Sequence, residues 1–358
     1  MKRSGLKNYT FENGFTTESG EHLSVFQLAY QTWGELNESK DNVILICHAL
    51  TGTADAETWF SGLFSEDSPI VENTFILCIN VPGSCYGSTG PLTTNPETGK
   101  KYRVDFPEIT IRDMVEAQKQ LLDKLEINGI ELVIGGSMGG MQALELAVSE
   151  SRVKRAAIIA AGARHEAWAI GISEAQRNAI YSDANWNNGY YSDNHPPERG
   201  LAAARMMAMV TYRTSEQYND KFSREKRDDN TFQIVSYLNY QGKKLTSRFD
   251  AVSYVRLTQA MDSHDVGRDR GGIEKTLAGC KVPVLVIGIS SDLLYPVQEQ
   301  KKLASLLANG CYKEIESPYG HDAFLIEFKA LNNIISDFLN GDCAGDKNQI
   351  PKLKIISA

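Results

Sequence analysis

No run in this sequence approaches the ~18 consecutive apolar residues of a membrane span. Met1-Lys2-Arg3-Ser4-Gly5 leads into polar sequence without the apolar core of a secretory signal. A cytoplasmic protein with no membrane partner is therefore expected. Cysteine is sparse: Cys47, Cys78, Cys85, Cys280, Cys311 and Cys343 are scattered without C-x-x-C spacing, which points to buried free thiols. Positive charge is in deficit, with a formal net charge of -8, which argues against broad nucleic-acid affinity because such binding needs a basic surface to displace counterions. Histidines and carboxylates show no ligand spacing such as H-E-x-x-H, so no metal is expected. Internal repeats and low-complexity tracts are missing too.

At 358 residues and 42% hydrophobic content, the chain is long enough to bury a sizeable core. It suits one large domain with an insertion, or two unequal domains. Strand-like runs at residues 25–32, 42–47, 74–80, 132–134 and 156–160 alternate with amphipathic stretches, a pattern that implies an α/β fold with a mainly parallel sheet flanked by helices. Residues 111–125 carry Met114, Val115, Gln118, Leu121, Leu122 and Leu125 on one face and read as a helix. Between 166 and 277 the alternation gives way to Trp168, Tyr181, Trp186, Tyr190, Tyr191, Tyr212 and charged residues, read as a mostly helical insertion. Alternation returns with a strand at 282–288, a helix at 297–308, a strand at 311–316 and a helix at 323–339. The organisation expected is a core built from 1–165 and 278–340, a helical lid at 166–277, and a polar tail at 341–358.

The densest chemical signal is Ile134-Gly135-Gly136-Ser137-Met138-Gly139-Gly140-Met141. An apolar strand runs into G-x-S-x-G, and Leu144, Ala147 and Val148 follow at helical spacing. Such a turn lifts a serine hydroxyl out of the sheet, and side chains at Gly135 or Gly139 would collide with neighbouring backbone. Ser137 is the candidate nucleophile. A serine hydroxyl needs a base beside it and an acid to orient that base. Asp292 follows the strand ending at Gly288, and His321 lies between the last strand and the last helix. In the order serine, acid, histidine, the three form a candidate triad. His22 and His195 lie in polar stretches, His165 and His264 have no strand end to present them, and His48 precedes the serine. Acyl transfer also needs donors aimed at a developing oxyanion. The Met138 amide, just after the nucleophile, and the Leu50 amide, in the loop Cys47-His48-Ala49-Leu50-Thr51-Gly52, are the candidates.

Those segments, with Asn80-Val81-Pro82-Gly83-Ser84-Cys85-Tyr86-Gly87, Phe106-Pro107-Glu108-Ile109-Thr110, Gly200-Leu201-Ala202-Ala203-Ala204-Arg205, Thr211-Tyr212-Arg213-Thr214 and Gly320-His321-Asp322, resemble the homoserine O-acetyltransferases of the α/β-hydrolase superfamily. The resemblance spans about 11–339. It implies an α/β-hydrolase fold with a helical lid and a two-step reaction in which Ser137 takes acetyl from the co-substrate acetyl-CoA and L-homoserine collects it, for methionine synthesis. No permanently bound cofactor and a homodimer are also implied. By motif, Arg205 and Asp322 fall at the homoserine site, where an arginine fork suits a carboxylate and an acid suits an ammonium group; Arg213 is a second arginine candidate. Relatives on this scaffold use succinyl-CoA or serine instead, and an esterase or thioesterase would carry the same triad.

Overall fold

The computed structural model describes residues 1–342, so most of the expected polar tail, including Cys343, lies outside the described residues. The sheet has eight strands: β1 Lys7–Phe11, β2 Phe26–Gly34, β3 Val43–Cys47, β4 Phe75–Ile79, β5 Ile130–Gly136, β6 Ala156–Ile159, β7 Val284–Ile289 and β8 Gly310–Ile315. Their spatial order is β1-β2-β4-β3-β5-β6-β7-β8, with β1–β2 and β2–β4 antiparallel and every later pairing parallel. This is the mainly parallel sheet that the strand-helix alternation implies. β1 is not legible in the sequence because it is an edge strand whose Lys7, Asn8 and Thr10 face solvent, leaving no apolar alternation.

Burial on both faces explains the apolar character of the central strands. In β3, Val43, Leu45 and Cys47 enter one core, shared with helices α1 Ile111–Lys124 and α2 Met138–Ser149. Ile44 and Ile46 enter the other core, with Phe60, Leu331 and Ile335. Thr110 caps α1 in a reciprocal capping box with Asp113, which fixes where that helix starts.

Between β6 and β7 the chain is mostly helical: α3 Ala167–Tyr181, α4 Glu198–Tyr212, α5 Ser215–Phe222, α6 Gln233–Thr246, α7 Ala251–Asp262 and α8 Ile273–Gly279. α4 packs against α3 and α6, while α8 packs against α2 and against α9 Val297–Leu306, beside the sheet. The final helix expected at 323–339 is in fact two elements, a 3₁₀ turn Gly320–Leu325 and α10 Phe328–Leu339. A polar contact accompanies the break: Ser317 Oγ donates to Glu327 Oε1 at 2.9 Å, joining the junction to the loop that precedes His321.

Cys47, Cys78, Cys85 and Cys280 are free thiols, as expected; Cys311 is not one of them. Among the described residues, no helix is long and apolar enough to cross a membrane, and no cluster of three or more histidine, cysteine or acidic side chains is arranged to hold a metal.

Candidate active site

Ser137 sits between β5 and α2 with φ 58° and ψ -125°. A non-glycine residue held there carries backbone strain of about 1–3 kcal/mol, sustained only because the surroundings determine the turn. Those surroundings are tight. A Cβ on Gly135 would lie 2.2 Å from the Gly139 carbonyl oxygen, and a Cβ on Gly139 would lie 2.1 Å from that of Cys47. Only glycine permits the helix to start this close to the strands. The Ser137 hydroxyl makes no hydrogen bond among the described residues, in keeping with catalytic contacts that are loose without substrate.

Asp292 and His321 are brought together from the ends of β7 and β8. His321 Nδ1 and Asp292 Oδ2 are 2.7 Å apart, and both side chains are buried. The other carboxylate oxygen accepts from the amides of Leu294 at 2.8 Å and Tyr295 at 3.0 Å. With Nδ1–H given to Asp292, the imidazole keeps Nε2 for other work. Burial opposes the charged imidazolium, but the charge and hydrogen bond of Asp292, with the charge of Asp322, outweigh it and raise the His321 pKa above its ordinary value. Tyr295, Tyr212 and Phe324 enclose the ring at centroid distances of 5.4, 5.5 and 5.7 Å.

Two serines lock these loops in a way the sequence did not suggest. Ser291 Oγ donates to the Ser317 carbonyl at 2.5 Å and accepts from the Gly320 amide at 3.0 Å, while Ser290 Oγ accepts from the Ser317 amide at 3.2 Å. The pair lies immediately before Asp292, so its position next to the candidate acid was the available signal.

The candidate oxyanion donors lie on adjoining segments. Leu50 and Met138 are both buried, and Met138 opens α2, where first-turn amides have no helical partner. Of the other histidines, His22 and His195 are exposed. His264 is buried against the Gly162 carbonyl, and burial pushes its pKa down to about 4. His165 Nδ1 lies 3.1 Å from Asp262, and its ring stacks on Tyr295 at 5.9 Å, one ring away from His321.

The helical segment reaches this centre through α4. Arg205 has its guanidinium carbon 5.7 Å from the Tyr212 ring centroid, and no carboxylate pairs with it among the described residues. Asp322 is brought to Arg213 instead, with Nε to Oδ2 at 3.0 Å. The contact is Coulombic and poorly aligned, since Arg213 Nε has no hydrogen-bond partner. Burial raises the pKa of Tyr218 and of Tyr237, and Arg205, Arg213 and Asp322 all act on both phenols, which places one charged cluster beside two tyrosines. Neither phenol was marked by a sequence motif.

Residues 42–328 match the family model described as alpha/beta hydrolase fold. A homoserine O-acetyltransferase of Chlorobium luteolum is 50% identical over 335 residues, covering 93% of this chain and 94% of that one. Among solved structures, homoserine O-acetyltransferase from Bacillus anthracis superposes with TM-score 0.85 at 26% identity, covering 95% of this chain and 97% of that chain. Esterase E22 superposes almost equally, with TM-score 0.84 at 27% identity, covering 94% of this chain and all (100%) of that chain.

Proposed function

Because the chain belongs to the homoserine O-acetyltransferase family of α/β hydrolases, we propose that it moves an acetyl group from acetyl-CoA to the hydroxyl of L-homoserine through an acyl-Ser137 intermediate. O-acetyl-L-homoserine for methionine biosynthesis is the product. His321 takes the Ser137 proton as the hydroxyl attacks the thioester carbonyl, and returns it to the leaving CoA thiolate. It then takes the proton of the homoserine hydroxyl as that oxygen attacks the acyl-serine carbonyl, and gives it to the departing Ser137 oxygen, which regenerates the free serine. Asp292 holds the imidazole in the tautomer this needs and balances its charge, while the Leu50 and Met138 amides receive the oxyanion in both steps.

The observation that carries this mechanism is the 2.7 Å contact of His321 with a buried Asp292 whose other oxygen is already satisfied. Such an acid can orient the base without competing for its proton. On the acceptor side, the unpaired Arg205 fork suits the homoserine carboxylate and Asp322 its ammonium group. We assign α3 to α7 the role of a lid that keeps water from the acyl-enzyme. A homodimer and a cytoplasmic location go with this assignment; exposed Met207 and Val210 on α4, with Val235 and Tyr240 on α6, support the former.

Esterase chemistry is the alternative that a specific observation favours, since esterase E22 shares the fold almost as closely. The two are separated by what meets the acyl-enzyme. With acetyl-CoA, release of CoA thiol is expected only when L-homoserine is present, and Ser137→Ala abolishes it. Equal release without acceptor would establish hydrolysis. Running succinyl-CoA and L-serine in parallel identifies donor and acceptor.

A further inference from the structure

The two amides proposed as oxyanion donors belong to different segments, a loop after β3 and the first turn of α2. A hole built from two segments works only if they are fixed relative to one another. Gly139 allows close approach, as its missing Cβ would lie 2.1 Å from the Cys47 carbonyl. Close approach by itself does not aim a peptide.

Two fully buried polar side chains supply the aim. Gln142 Nε2 donates to the His48 carbonyl at 3.1 Å and to the Met138 carbonyl at 3.2 Å, tying the loop to the helix. Its own carbonyl oxygen accepts from Gln118 Nε2 at 2.7 Å, which fixes the orientation of the amide. His48 acts on the next peptide. The Val81 amide donates to His48 Nε2 at 3.1 Å, so that nitrogen carries no proton and Nδ1 must. Nδ1–H then donates to the Ala49 carbonyl at 2.9 Å, and the Gly52 amide donates to the same oxygen at 2.8 Å.

The Ala49 carbonyl and the Leu50 amide are the two ends of one planar trans peptide, so they point in opposite directions. Holding the carbonyl in the interior therefore turns the Leu50 N–H outward. We propose that His48 and Gln142 are positioning residues for the oxyanion pair: His48 sets the direction of the Leu50 amide, and Gln142 sets the spacing between the Leu50 loop and the Met138 turn. Neither touches substrate; both act through backbone. Burial lowers the His48 pKa to about 4, against the Ala49 hydrogen bond, so the aiming bond keeps its neutral form through the working pH range. This deepens the acyl-serine mechanism proposed above and rests on it.

The test exploits the geometry of imidazole substitutes. An asparagine amide overlays Nδ1, and a glutamine amide overlays Nε2. His48→Asn therefore keeps a donor for the Ala49 carbonyl and loses the Val81 contact, while His48→Gln does the reverse. Both variants, with Gln142→Met, are assayed on p-nitrophenyl acetate, which acylates a serine without CoA or homoserine, and each melting temperature is recorded. Failure of the transferase assignment would leave this comparison intact. Expected is a loss of about 10–100-fold in the acylation rate constant for His48→Gln and for Gln142→Met, somewhat below that for deleting an oxyanion donor. His48→Asn should stay within about threefold of the parent, although both His48 variants lose a buried hydrogen bond and melt earlier. Equal loss in the two His48 variants, or loss that follows melting temperature or appears only in KM, would overturn the proposal.

Discussion

Two carboxylates, Asp292 and Asp322, act on His321, and they are held in opposite ways. Asp292, in the strand-end loop, is fully buried and accepts from two backbone amides as well as from the imidazole. Asp322 faces the helical segment, keeps 18% side-chain exposure, and has the misaligned Arg213 guanidinium as its ion-pair partner. Backbone donors cannot move without unfolding the loop, so Asp292 keeps a single geometry through the reaction. Asp322 has a misaligned partner, which on the proposed mechanism the ammonium group of homoserine replaces. On that mechanism, one side of the site serves fixed chemistry and the other exchanges with substrate.

Substitutions on each side should separate accordingly. The largest effect is expected from Asp292→Asn: kcat falls by about 10⁴-fold, as for loss of the orienting acid in a serine triad. The same change removes the main influence raising the His321 pKa. Activity needs the neutral base, so the acid limb of the pH–rate profile moves to lower pH in the residual activity; a limb that stays in place or moves upward would break the link between that limb and the dyad. A smaller effect, confined to one substrate, is expected from Arg205→Leu. Removing a charge-assisted pair worth about 1.5–3 kcal/mol should raise KM for L-homoserine about 10–100-fold and leave the acylation rate from acetyl-CoA unchanged. An equal fall in acylation would show that the arginine serves both half-reactions. The smallest belongs to Thr214, which caps α5 through the Gln217 amide and donates to the Pro318 carbonyl at 2.6 Å, joining the helical segment to the histidine loop. Thr214→Val should lower stability by about 1–2 kcal/mol with little change in acylation, readable as an earlier denaturation midpoint.

What was legible in the sequence follows the same division. Ser137, Asp292 and His321 could be proposed because each follows a strand, and apolar strands of an α/β sheet announce themselves by composition. The G-x-S-x-G glycines are required by contacts within a few residues of the serine, so the motif carries its own explanation. The Asp322 partner was not legible: Arg205 lies in the middle of α4 and Arg213 caps its C-terminal end, and only tertiary packing decides which of them meets the acid. Gln142 and His48 were likewise hidden, because the bonds by which they hold the two segments are to backbone carbonyls and amides that leave no trace in side-chain spacing. The split of the last helix escaped for a related reason, since the Ser317–Glu327 hydrogen bond at the junction is a tertiary contact.

On the proposed mechanism, Ser137 holds an acetyl group until homoserine removes it. Protein mixed with acetyl-CoA alone, quenched, digested and examined by mass spectrometry should carry one acetyl group on the peptide containing Ser137; addition of L-homoserine before the quench should clear it as O-acetyl-L-homoserine forms. Product formation with no acetylated Ser137 peptide at any time, or clearance equally fast without homoserine, would contradict the account.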